Sequence, residues 1–168
     1  NTEEVDCNIF GGQLNDRFSK IYLFDNNYYI TGYKDTNSGY DFGYGGYNEK
    51  GYFICKLSKE LILYNYAILE DEVINVEFDE FINVFLNNQI YCLNYQLNHE
   101  KGVKFDSQSI FMTMIDKNLV AFYTKNSLKI YDIKKSSFID ECNYPFNLEV
   151  NEVIHTEKCV FLKNYEDI

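Results

Sequence analysis

The chain has 168 residues, enough for a domain that buries its own core without disulfide or metal staples. Its 46% hydrophobic and 18% aromatic content is globular and rules against a disordered chain. Fifteen basic against 26 acidic residues give a formal net charge of −11, which argues against nucleic acid and anionic membranes as partners and favours a basic one. No stretch approaches the roughly 20 apolar residues of a membrane-spanning helix.

In chain order, residues 1–6 are polar, and residues 7–10 (CNIF) predict a short strand before the Gly11-Gly12 turn. A turn at Asn15-Asp16-Arg17 leads into KIYLF (20–24). Asp25-Asn26 then predicts a tight two-residue hairpin, because Asn tolerates the left-handed backbone that such turns demand. NYYITGY (27–33) is the return strand. Residues 34–50, KDTNSGYDFGYGGYNEK, form a long irregular loop inside the next hairpin, whose second strand is GYFICKL (51–57). After the turn SKE comes the strand LILYNY (61–66).

Residues 70–86 (EDEVINVEFDEFINVFL) admit two readings. They split at Asp79-Glu80 into the strands VINVEF and FINVFL, or they form a helix with Val73, Val76, Phe81 and Phe85 on one face. Their β-branched and aromatic content favours strands. Residues 89–97 predict another strand after Asn87-Asn88, and residues 98–104 a loop. The clearest pattern follows at 110–141: IFMTMI, LVAFY, SLKIYDI and SFIDE, separated by DKN, TKN and KKS, a four-stranded meander written in sequence. A break holds the only proline, Pro145. A last hairpin, 149–155 and 159–162, turns at Glu157-Lys158.

The meander repeats. YFICKLSKELILYNY (52–66) aligns with LKIYDIKKSSFIDEC (128–142). The layout predicts one all-β domain over 1–168, of meandering antiparallel strands in small β-propeller-like units at about 20–69, 73–105, 110–141, and 149–162 plus the N-terminal strand. The strand at 7–10 is available to complete the short last unit and so remove exposed sheet edges. ITGYKDTNSGYDFGYGGYNEKGYFICKLSKE (30–60) resembles the bacterial β-propeller repeat family, in which a strand ending in Gly-Tyr precedes a Gly-rich loop and a strand ending in Lys-Leu. That resemblance implies propeller blades and carries no catalytic residues. The rival architecture is a β-sandwich or a single curled sheet of the same strands.

Catalytic and ligand motifs are scarce. Nucleophilic catalysis needs a base, and the two histidines, His99 in a polar stretch and His155 at a strand end, accompany no nucleophile motif such as GxSxG. No Cys/His cluster has zinc spacing, and Gly43-Tyr44-Gly45-Gly46 matches no phosphate-cradling loop. Calcium has one local hint: Asp35, Asn37 and Asp41 alternate around Gly39, but position five is Gly and no Glu follows at position twelve. An ordinary turn with Asx hydrogen bonds is the simpler reading. The expectation is no cofactor.

Five cysteines (Cys7, Cys55, Cys92, Cys142, Cys159), odd in number and without CxxC, predict buried free thiols in a reducing compartment. That points to the cytoplasm. Export stays open, because the chain begins at Asn1 without Met. Loops as long as 34–50 are commonly functional. Its Tyr40, Tyr44 and Tyr47, with Asp41, are the candidate partner-binding residues: rigid aromatic area beside negative charge. The predicted function is a non-enzymatic protein-binding module for a basic protein. In general character, small and acidic, the chain resembles bacterial immunity proteins that neutralise a cognate toxin. The alternatives are a carbohydrate-binding or hydrolytic propeller-type domain using the Gly-Tyr loop, and structural blades of a larger assembly.

Overall fold

The computed structural model describes residues 16–35, 50–145, 150, 152–155 and 160–163. These contain fourteen strands and, among the described residues, no helix. β1 (Arg17–Phe24), β2 (Asn27–Lys34), β3 (Gly51–Leu57) and β4 (Leu63–Leu69) form the first sheet, each strand pairing antiparallel with the next. β5 (Asn75–Phe78), β6 (Ile82–Phe85), β7 (Gln89–Leu93) and β8 (His99–Lys104) form the second in the same way. β9 (Phe111–Met114), β10 (Leu119–Tyr123), β11 (Ser127–Asp132) and β12 (Ser137–Asn143) form the third. β13 (Glu152–His155) and β14 (Val160–Lys163) pair as a two-stranded sheet. The chain divides into two compact units, one built on the first sheet with Gln96–Asn98, the other on the remaining sheets.

Short polar residues set the turns. Asp25 and Asn26 both take left-handed backbone angles, φ 45° and 59°, which match a primed hairpin turn to the twist of β1 and β2. In the β3–β4 turn, Ser58 Oγ accepts the amides of Glu60 (3.1 Å) and Ile62 (3.2 Å). Asp116 Oδ1 accepts the amides of Asn118 (2.7 Å) and Leu119 (2.9 Å) between β9 and β10. Thr124 Oγ1 takes the amide of Ser127 (3.0 Å), and Asp132 Oδ1 that of Lys135 (3.1 Å). Each is a side chain standing in for a backbone turn acceptor.

In the first unit, Ile30, Phe53, Cys55 and Leu57 are buried on one face of β2 and β3, and Tyr29, Thr31 and Ile54 on the other. Central strands covered on both sides read as continuous apolar runs, as GYFICKL does. In the second unit, Phe85, Ile90, Cys92 and Phe105 meet Met112, Val120, Phe122 and Tyr131 of the third sheet. Phe105 packs edge-on against Phe122 (5.3 Å) and Tyr131 (4.8 Å). The opposite face of the third sheet, Phe111, Ala121 and Tyr123, packs against Val153 of β13.

The segment at 70–86 is β5 and β6, split at Asp79 and Glu80, and the helical alternative does not occur. Two expectations need correction. Residues 99–104 are a strand, not a loop: β8 pairs with β7 from Gln89↔Lys104 to Leu93↔His99. It is an edge strand exposed on both faces except at the half-buried Val103, so it carries no alternation of apolar and polar residues to read. Of the thiols, Cys55 and Cys92 are buried and free, whereas Cys142 is free but exposed, as are the other residues of the edge strand β12. Cys7, Cys159 and the strand expected at 7–10 lie outside the described residues.

Candidate functional site

Asp35 and Lys50 flank residues 36–49, the segment read from the sequence as a long loop, which lies outside the described residues. β2 and β3 run in register up to Lys34↔Gly51. One step beyond, Lys50 Nζ meets Asp35 Oδ1 at 2.7 Å, so the loop ends are clasped by an ion pair. The Asp35 amide donates to Asp16 Oδ1 at 2.8 Å, tying the same point to the chain entering β1. Beneath the clasp, the rings of Tyr33 and Tyr52 meet edge-on at 5.2 Å, with the Arg17 guanidinium 5.9 Å from the Tyr33 ring. The Asp35 hydrogen bond and charge raise the pKa of the exposed Lys50 ammonium. Of the calcium candidates, Asp35 is therefore engaged with a lysine. Asn37, Asp41, Tyr40, Tyr44 and Tyr47 lie outside the described residues. Among the described residues no group of three His, Cys, Asp or Glu side chains is placed to hold a metal ion. His99, on β8, packs edge-on against Tyr91 at 5.3 Å.

A second feature was not legible in the sequence. In the second unit a groove of about 810 Å³ opens between the second and third sheets, beside the β5–β6, β9–β10 and β11–β12 turns. Its apolar lining includes Ile90, Val103, Met114 and Ile133, side chains that belong to or pack on the core cluster between these sheets. Asp79 and Glu80 stand on the wall of the second sheet, Lys117 and Lys134 on that of the third. The turns themselves were readable, but no sequence signal says that turns near 80, 117 and 134 share one cleft.

At the inner edge of the groove the two sheets are bolted together by polar groups. Asn75 Nδ2 donates to Met112 O (3.1 Å) and to Glu77 Oε1 (3.0 Å). Glu77 Oε2 accepts the Met114 amide at 3.0 Å, and Oε1 also accepts the Thr113 hydroxyl. The first strands of neighbouring sheets, β5 and β9, thus abut.

No protein-family model matches the chain, and no curated protein matches it in sequence. Among solved structures it is similar to the WD40 domain of Neurospora crassa Pan2, at 13% identity and a TM-score of 0.54, over 82% of this chain and 41% of that one. It is also similar to the computationally designed Ika8 protein, at 12% identity and a TM-score of 0.51, over 86% of this chain and 42% of that one. At such identities the likeness concerns the fold alone: four-stranded antiparallel meanders of the β-propeller kind. The chain spans about two fifths of the length of these structures.

Proposed function

We propose, with a propeller-like series of four-stranded meanders as the premise, that the chain is a non-enzymatic protein-binding module whose partner is a basic protein. The observation that carries this reading is the clasped base of the long loop. A segment bearing Tyr40, Tyr44, Tyr47 and Asp41 is held at both ends by the Asp35–Lys50 ion pair, at 2.7 Å, on paired strands with buried faces. Tying the ends limits the ordering entropy lost on binding, and Tyr supplies contact area with few rotatable bonds. The net charge of −11 steers a basic partner inward. The most concrete form of this function is an immunity-type protein of a bacterium that neutralises a basic toxin.

The experiment is affinity capture from source-cell extract on the wild-type chain and on a chain whose residues 36–49 are replaced by a two-residue turn. The expected result is a basic protein retained by the first and absent from the second. Capture of an acidic partner, or capture that survives the loop replacement, would overturn the loop reading. No capture together with binding on a glycan array would replace the protein-binding class with carbohydrate recognition.

A further inference from the structure

We infer that the groove between the second and third sheets is a second docking site, for an extended segment of a partner protein in which a large apolar residue lies between a basic and an acidic one. The inference rests on the protein-binding reading but not on the loop. Its volume of about 810 Å³ falls in the range of sites that enclose a ligand, a few hundred to roughly 1,000 Å³. The floor is apolar, and at the mouth Ile115 keeps 53% of its surface exposed. The site can therefore bury an apolar anchor and cover Ile115 at once.

Charge selects the flanking residues. Two acids of the lining are committed internally: Glu77 to Asn75, Thr113 and the Met114 amide, and Asp116 to the amides of its own turn. One lysine is likewise occupied, with Lys101 Nζ lying 4.7 Å over the Phe81 ring. This leaves Asp79 and Glu80 on one wall and Lys117 and Lys134 on the other, all exposed and, among the described residues, in no ion pair. A segment crossing the floor with a basic residue toward Asp79 and Glu80 and an acidic one toward Lys117 and Lys134 meets both walls with opposite sign. A uniformly basic or uniformly acidic segment meets one wall with like charge.

The test uses three fluorescein-labelled peptides in polarisation titrations: basic–apolar–acidic, the same with the apolar residue replaced by Ser, and uniformly basic with the apolar residue kept. The first should bind tightest. The double reversal Asp79→Lys with Glu80→Lys should weaken it roughly tenfold, as should Lys117→Glu with Lys134→Glu, all four positions being on exposed turns. Tyr40→Ala, Tyr44→Ala and Tyr47→Ala should leave it unchanged. Equal binding of the three peptides, indifference to both reversals, or dependence on the loop tyrosines would overturn the groove. If capture of the natural partner needs the loop while the peptides fail, the loop reading stands alone. If the peptides bind and the loop replacement has no effect on capture, the groove stands alone.

Discussion

Gly32 sits where β1 breaks register, between Phe18 and Lys20, and it has no room for a side chain. A Cβ there would lie 2.2 Å from the Arg17 carbonyl oxygen and 2.9 Å from the Phe53 ring. Gly32→Ala must therefore push β1 away from a buried ring, and we expect it to cost roughly 1–3 kcal/mol, read as a lower urea midpoint at unchanged slope. Cys55 makes a different test. Burial pushes its thiol up to about 12, from an ordinary 9.0. Between those values the unfolded chain has released the proton that the folded chain still holds, so the stability this thiol contributes below pH 9 is lost as pH rises toward 12. Urea titrations across that window should show stability falling with pH, and Cys55→Ala should flatten that part of the slope even though it lowers the whole curve. At this scale the sequence was informative where a residue type has one job. Asp25-Asn26 named its own turn, whereas nothing in ITGYK distinguished a glycine required by a ring 21 positions later from one merely tolerated.

Apolar and β-branched content announced strands whether or not they are buried: β1 and β12, exposed almost throughout, were still read from KIYLF and SFIDE. LVAFY is buried at four of five residues and GYFICKL at four of seven, and their apolar runs marked them. β8, HEKGVK, is held by backbone pairing to β7 with little side-chain burial, so its polar sequence resembled a loop. Such charge on an open edge also discourages pairing with other chains. The first sheet is less guarded: along its edge strand β1, Ile21 and Leu23 are 65% and 66% exposed. The joint between β5 and β9 depends on Glu77, which fills three donors from two sheets. Glu77→Ala should leave the Met114 amide without its acceptor and the Thr113 hydroxyl with only the longer contact to Met114 O (3.4 Å), and destabilise the chain by roughly 1–3 kcal/mol. Glu77→Gln should recover only part of this, since an amide offers one acceptor atom where the carboxylate offers two. Chemical denaturation of the three proteins checks the order. No spacing rule pointed to this joint, because its partners are 36 and 37 residues apart and meet only once the sheets stack.

For the whole molecule, the four-strand meander was legible at 20–66 and 110–141, where apolar runs of strand length alternate with turns, but not in the second sheet, whose last strand read as a loop. Which surface binds was not legible. A groove made by two sheets has no local signature, and the tyrosine loop is marked only by its length and composition. Both proposed surfaces belong to a chain of net charge −11, so association with a basic partner should quicken at low ionic strength and slow as salt shortens the Debye length below roughly 10 Å. The proposed binding function stands or falls on Tyr40, Tyr44 and Tyr47, between the paired Asp35 and Lys50. The most direct measurement is a calorimetric titration of the captured partner into wild type and into Tyr40→Ala, Tyr44→Ala and Tyr47→Ala singly. At least one substitution should weaken binding by about thirtyfold, the roughly 2 kcal/mol of a buried interface anchor, with the fold unchanged. Wild-type affinity in all three would contradict it.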